Sequence, residues 1–135
     1  MFNGCTSLSG NDFSMLMLKL HSNITSLNKM FINCNSIDAE IKYDLFRHCP
    51  NVTNITSFAE STAIRGGIYS RKADYDAEDT MTYGTFDFLP HLQQASNAFS
   101  GTALEYIDTN VFAPLNGRYA GLQEADYMFS NCYNL

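Results

Sequence analysis

Tryptophan is absent from this 135-residue sequence, proline occurs only three times, and charged residues make up only 16% of the positions. The eight Lys and Arg residues are scattered and leave a net charge of −6. Because binding to a phosphate backbone depends on clustered cationic side chains, this charge balance argues against a nucleic-acid partner. No apolar run approaches the roughly 20 residues that a membrane-spanning helix needs, so membrane insertion is not expected. The first residues also lack the basic and apolar regions of a secretory signal peptide.

The sequence contains an internal repeat. Five segments share a pattern of apolar residues, small polar residues, Cys or Thr, and a final apolar residue. Their first residues are 29, 28, 40 and 30 positions apart, so one period recurs with a single large insertion. The segments are MFNGCTSL at 1–8, MFINCNSI at 30–37, FAESTAI at 58–64, AFSGTAL at 98–104 and MFSNCYNL at 128–135.

Apolar residues three positions apart lead into each segment, as in Ile24, Leu27 and Met30. Asn, Ser, Thr and Gly interrupt this pattern too often for a long amphipathic helix. Short units that cannot bury their apolar residues alone are typical of repeat architectures, in which each unit is covered by its neighbours. The sequence therefore predicts a repeat solenoid, with coils of about 28–30 residues.

We expect a single solenoid domain of four to five repeats over residues 1–135. Residues 65–85 form the insertion, which contains a Gly pair, several Tyr residues and charges of both signs. Excess residues in a repeat go to one face, so the insertion should loop out from the stack. The sequence begins and ends inside repeat segments without polar caps. Because terminal repeats need such caps, we expect the chain to be part of a longer repeat protein.

The strings MFNGCTSL, MFINCNSI and MFSNCYNL, with the Thr-containing variants FAESTAI and AFSGTAL, resemble BspA-type leucine-rich repeats. The half-unit DLFRHCPNVTNI at 44–55 is similar to them as well, and the resemblance weakens only across residues 65–85. It implies a leucine-rich-repeat-like, right-handed solenoid with a short strand and a turn or short helix in each coil. Such repeats occur in bacterial surface proteins involved in adhesion and in large proteins of bacteriophage particles. Neither setting implies an active site.

The cysteines follow the repeat. Cys5, Cys34 and Cys132 hold one repeat position, at which Thr62 and Thr102 stand in the other segments. No C-x-x-C pair exists and the spacings match no usual zinc site, so packing is expected and no metal or cofactor is predicted. A Cys5–Cys34 disulfide is conceivable if the two Cα atoms lie within about 7 Å. The aromatic residues assigned the same structural role are Phe2, Phe31, Phe99 and Phe129.

No catalytic residue is predicted, and the chain is not expected to be an enzyme. His21, His48 and His91 each fall near a turn before an inward apolar residue, which indicates a surface or turn-packing position. The alternating carboxylates of DYDAED at 74–79 are the best candidate for a calcium site. That string lacks the Gly and the final Glu of an EF-hand loop, so a solvated loop is favoured.

Tyrosine and basic residues in the insertions are the candidate binding residues. Aromatic and Arg side chains form interface hot spots and stack on sugar rings, and a loop leaves them free to do so. The alternative is that the tyrosines pack the loop against the stack. The candidates are Tyr69, Arg71, Lys72, Tyr75 and Tyr83 in the larger insertion, with Arg118 and Tyr119 in a smaller one.

The predicted function is a non-enzymatic module that binds a protein or a surface glycan, as in adhesion, at a cell surface or outside the cell. The alternative is a structural component of a large assembly, such as a bacteriophage tail, fibre or head protein within a virion. In that case the repeats would pack against neighbouring subunits. A large apolar surface that is buried only in the assembly would mark this second role.

Overall fold

The computed structural model of the protein describes residues 1–42, 44–69, 84–108, 111 and 121–135. In chain order these form helix α1 (Gly10–Leu18), strand β1 (Glu40–Ile41), strand β2 (Arg65–Ile68), a 3-10 helix (Thr85–Phe88) and strand β3 (Ala103–Ile107). The strands make one parallel sheet in the order β1-β2-β3. The central strand β2 therefore consists of the first four residues of the predicted insertion, and residues 70–83 lie outside the described residues.

Helix α1 begins at a capping box. The backbone N–H of Ser9 donates to Asp12 Oδ2 at 2.9 Å, and the backbone N–H of Asp12 donates to Ser9 Oγ at 3.2 Å. Hydrogen bonds from Ser9 to the carboxylate also lower the pKa of Asp12. Phe13 and Met17, one turn apart, face the core. The helix has nine residues, and among the described residues no helix has the length and apolar character to cross a membrane.

The repeat segments form a stack of hydrogen-bonded turns. In each of the first four, the second residue donates its backbone N–H to the carbonyl of the first residue of the next segment, at 2.8 to 2.9 Å. The fourth residue donates to the third residue of the next segment at the same distances. The spacing of the sequence repeat thus reappears as a hydrogen-bond register. The five turn layers comprise residues 1–5, 30–34, 58–62, 98–102 and 128–132.

The fourth residue of every turn layer has a left-handed backbone, with φ between 57° and 68°. Only Gly adopts this conformation without steric cost, and Asn is the residue that next tolerates it. The stack of turns therefore accounts for part of the Asn, Ser and Gly content of the sequence. The residues at this position are Gly4, Asn33, Ser61, Gly101 and Asn131.

A column of phenylalanine rings runs along the stack. Neighbouring ring centroids are 5.6, 5.5, 6.0 and 6.1 Å apart. In the third layer the order of large and small residues is exchanged, because Phe58 is the first residue and Ala59 the second. The ring of Phe58 enters the same column from the adjacent position and is fully buried. From the first layer to the last, the column consists of Phe2, Phe31, Phe58, Phe99 and Phe129.

The predicted fold class, a leucine-rich-repeat-like repeat solenoid with a short strand plus a turn or short helix in each coil of about 28–30 residues, is wrong. The described residues contain one α-helix and one open three-stranded parallel sheet. Helix α1, not a strand, follows the first turn layer. The physical reason is that apolar spacing determines which side chains are buried, whereas a strand also needs a neighbouring extended segment to pair with. The segments after the second, third and fourth layers provide such neighbours.

Candidate functional site

The candidate site lies at the carboxyl ends of β2 and β3. The pairing register places Tyr106 opposite Gly67, and a β-bulge lies between Gly66 and Gly67. A side-chain carbon built on Gly67 would collide with the ring of Tyr106. The absence of a side chain at Gly67 therefore lets the Tyr106 ring lie directly on the strand.

Tyr69 completes an aromatic pair. Its ring meets that of Tyr106 edge to face, with centroids 5.4 Å apart and an interplanar angle of 83°, a favourable geometry for aromatic rings. The hydroxyl of Tyr106 donates a hydrogen bond to the hydroxyl of Tyr69. This bond favours the neutral phenol and raises the pKa of Tyr106 to about 12. We refer to Tyr69, Tyr106 and Gly67 as the tyrosine site.

The backbone of Tyr69 is fixed by Thr85. The N–H of Tyr69 donates to Thr85 Oγ1 at 3.1 Å, and the N–H of Thr85 donates to the carbonyl of Tyr69 at 3.0 Å. Thr85 is fully buried at the start of the 3-10 helix. The tyrosine site therefore rests on the core, although its rings are partly exposed.

Exposed charged side chains border the tyrosine site. Arg65 Nε lies 2.8 Å from Asp38 Oδ1, and one of its terminal nitrogens lies 3.9 Å from Glu40 Oε2. The hydrogen bond to Asp38 and its negative charge raise the pKa of Arg65, and Glu105 adds to the effect. Ion pairs this exposed contribute little to stability. Carboxylates outnumber the guanidinium here, so the border is acidic and able to accept hydrogen bonds from a ligand.

Of the predicted binding residues, the structure places Tyr69 in the tyrosine site. The other six, Arg71, Lys72, Tyr75, Tyr83, Arg118 and Tyr119, lie outside the described residues. Tyr106 is not among the residues predicted from the sequence. The signal that could have found it is the run ALEYI at 103–107, whose β-branched and aromatic residues directly follow a repeat segment and favour a strand.

The shared Cys and Thr position has a hydrogen-bonding role. The Cys34 thiol donates to the carbonyl of Phe2 at 2.7 Å, and the Cys132 thiol donates to that of Phe99 at 3.1 Å. Thr62 and Thr102 each donate to a backbone carbonyl within their own layer, at 2.9 and 2.8 Å. Both residue types are small donors, which explains why they exchange at this position. The four cysteines are free thiols.

The buried thiol of Cys49 should make the free energy of unfolding depend on pH. The residue is fully buried, and this desolvation raises the pKa of its thiol to about 12. Between the ordinary thiol pKa of about 8.5 and about 12, the unfolded chain loses this proton while the folded chain keeps it. The stability that the protonated Cys49 thiol contributes is therefore fully present below about pH 8.5, and it is lost as the pH rises from about 8.5 to about 12. Urea denaturation at pH 8 and 9.5 should show a lower free energy of unfolding at the higher pH.

The matched control for this pH dependence is Cys49→Ala. Removing the thiol should make the free energy of unfolding less dependent on pH over the same range, although the variant is less stable at pH 8. An unchanged pH dependence in Cys49→Ala would show that another group causes it.

A cavity of about 120 Å³ lies between α1 and the residues that follow β1. Phe13, Met17 and Leu45 form part of its apolar wall, and Glu40 and His48 lie among its polar lining residues. In the described parts of the chain, no three His, Cys, Asp or Glu side chains are grouped so that they could hold a metal ion. The cavity can accept a small apolar group, but it contains no arrangement that would activate one.

The tyrosine site is the arrangement best suited to contact a ligand, since it joins aromatic surface to exposed hydrogen-bonding groups. The Tyr106 hydroxyl donates its one proton to Tyr69, so the Tyr69 hydroxyl is the donor that remains for a ligand, and the Tyr106 oxygen can accept. In comparisons with known proteins, the chain matches no protein-family model, no curated protein and no solved structure.

Proposed function

We propose that the protein is a non-catalytic module that binds a protein or a surface glycan through the tyrosine site. The observation that carries this proposal is the Tyr69–Tyr106 pair, which is held over Gly67 and remains accessible, with Tyr106 41% exposed. Tyrosine rings offer a large contact area and stack on sugar rings or apolar side chains. The nearby carboxylates of Glu40 and Glu105 can accept hydrogen bonds from sugar hydroxyls or from Lys and Arg of a protein. A location at a cell surface or outside the cell is part of this proposal.

The chain around the site supports the same proposal. Tyr69 and Thr85 are hydrogen-bonded to each other, so two residues that are 16 positions apart in the sequence meet at the tyrosine site. The predicted binding residues Arg71, Lys72 and Tyr75 follow Tyr69 within a few positions of sequence. We propose that these three residues, which lie outside the described part of the chain, contribute to the same binding function.

Binding screens test the proposal. The chain would be applied to an array of immobilised polysaccharides and to a library of Lys- and Arg-rich peptides, and the affinity for each positive probe would be measured. We expect Tyr106→Ala to weaken that binding about tenfold or more, as for an aromatic hot spot. Gly67→Ala should weaken it as well, because the added carbon displaces the Tyr106 ring.

Tyr133→Ala is the matched control, since Tyr133 is 88% exposed in the C-terminal segment, outside the tyrosine site. It should leave the affinity unchanged. Binding to sugars identifies a glycan receptor, and binding to the peptides identifies a protein partner. A positive probe whose affinity is the same for the native chain and for Tyr106→Ala would refute the assignment of the site.

A structural role in a large assembly, such as a bacteriophage tail, fibre or head, is the second candidate. It is favoured by large apolar side chains that are exposed on the described surface. Leu18 is 64% exposed on α1, and Tyr127 is 74% exposed. Side chains of this kind commonly become buried when subunits associate.

A further inference from the structure

Two of the four cysteines hold the same position in adjacent turn layers. Cys5 lies in the layer of residues 1–5 and Cys34 in the layer of residues 30–34. These two layers run parallel and are joined by backbone hydrogen bonds of 2.8 and 2.9 Å. Equivalent residues of parallel segments joined in this way lie about 4.8 Å apart. This separation is within the Cα distances of about 4.4–6.8 Å that a disulfide spans.

One carbonyl oxygen brings the two cysteines together. The carbonyl of Phe2 accepts a hydrogen bond from the N–H of Cys5 at 3.1 Å and another from the thiol of Cys34 at 2.7 Å. The Cys34 side chain therefore extends out of its own layer and lies beside Cys5. The equivalent side chains of a later pair of layers, Thr102 and Cys132, have Oγ1 and Sγ only 3.3 Å apart. Side chains at this repeat position thus meet across a layer junction.

We propose that Cys5 and Cys34 are a site of reversible thiol oxidation, at which a small disulfide such as oxidised glutathione converts the two thiols to a disulfide that joins the two layers in their present register. The bond removes the proton that the Cys34 thiol donates to the carbonyl of Phe2. This carbonyl still accepts from the N–H of Cys5, so it keeps a partner. The proposal is independent of ligand binding at the tyrosine site.

The two thiols have different roles in the exchange. Cys34 is fully buried, and this burial, with the adjacent Cys5 as a smaller cause, raises the pKa of its thiol. Because the thiolate is the nucleophile, Cys5 reacts first. Its thiolate attacks one sulfur of glutathione disulfide, and one glutathione leaves as its thiolate. Cys34 then loses its proton to water and attacks the Cys5 sulfur, which releases the second glutathione. The protein gives up two protons and two electrons, and the glutathione disulfide is reduced to two thiols.

Disulfide mapping of the native chain tests the proposal. Reduced protein would be incubated with glutathione disulfide, remaining thiols would be blocked with iodoacetamide, and tryptic peptides would be analysed by mass spectrometry without reduction. Lys and Arg residues place each cysteine in a different tryptic peptide. We expect peptides 1–19 and 30–42 to be joined, with no glutathione retained. In urea, where the layers are lost, links should be spread over several pairs of cysteines.

Cys132→Thr is the matched control, because Thr stands at the same position in two other layers. This variant should keep the link between peptides 1–19 and 30–42. Cys34→Thr removes the second nucleophile, so glutathione should remain attached to Cys5. Cys5→Thr should give neither a link nor an attached glutathione at Cys34.

The disulfide should also stabilise the fold. Cys5 and Cys34 are 29 positions apart, and closing a loop of this length reduces the freedom of the unfolded chain. We expect the melting temperature of the native chain to rise by about 5 °C or more on oxidation. The same treatment should leave the melting temperature of Cys5→Thr unchanged.

Three results would overturn the proposal. The first is a folded native chain whose cysteines form no link between peptides 1–19 and 30–42. The second is a native chain that retains glutathione on Cys5, which would show that Cys34 does not reach it. The third is a linked chain with an unchanged or lower melting temperature, which would show that the bond displaces one of the layers.

Discussion

Replacing Phe58 by alanine is expected to lower the free energy of unfolding by about 3–5 kcal/mol, the usual loss on emptying a buried phenylalanine site. Phe58 is 0% exposed, and its ring lies 5.4 to 6.3 Å, centroid to centroid, from four other rings. They come from α1, from the two neighbouring turn layers and from the chain after β1. No single side chain can move to fill the space. The contacting residues are Phe13, Phe31, Phe46 and Phe99.

The comparison for Phe58→Ala is Phe129→Ala, which removes the same atoms from the same column. Phe129 is half-buried, and within the described part of the chain its ring contacts only that of Phe99, at 6.1 Å. Because the loss follows the apolar area removed from water, Phe129→Ala should cost less than about 2 kcal/mol. Urea denaturation at low protein concentration measures both variants. Equal losses would mean that the aromatic column is not centred on Phe58.

The spacing of the repeat is the part of the fold most accessible from sequence. Equivalent residues 29, 28, 40 and 30 positions apart lie in successive turn layers that are joined by hydrogen bonds, because each period returns the chain to the same edge of the stack. Helix α1 was not predicted, although Ser9 and Asp12 form a capping pair visible in the sequence. The strands were not predictable one by one, since β1 pairs with β2 at Glu40 and Arg65, which are distant in the chain.

The candidate site could likewise be predicted only in part from the sequence. Tyr69 could be selected from sequence because it lies in an aromatic and basic insertion. Tyr106 could not be joined to it, since their contact depends on a register shift between Gly66 and Gly67. The sequence contains the glycine pair Gly66 and Gly67, but only the pairing of β2 with β3 shows that Gly67 lies under the ring of Tyr106. A site assembled across strands is therefore visible from its separate residues only after the pairing is known.

Gly10→Ala should also lower the free energy of unfolding. This is the opposite of the usual effect of replacing glycine by alanine in a helix. Replacing glycine by alanine in a helix ordinarily stabilises by up to about 1 kcal/mol. Here a side-chain carbon on Gly10 would collide with the backbone carbonyl of Asp38, just before β1. Backbone atoms cannot rotate away as a flexible side chain can. The helix must shift, and we expect a loss of about 1–3 kcal/mol, the typical cost of overpacking.

Ser14→Ala provides the matched control for Gly10→Ala on the same helix. Ser14 is exposed, and its hydroxyl donates to the carbonyl of Gly10 at 3.0 Å. Alanine has a higher helix propensity and is smaller than serine, so the free energy of unfolding should change by less than about 0.5 kcal/mol. Thermal unfolding followed by circular dichroism compares the two variants. A melting temperature of Gly10→Ala above that of the native chain would show that α1 does not pack against Asp38. A fall confined to Gly10→Ala would establish that this close approach fixes the helix on the edge of the sheet.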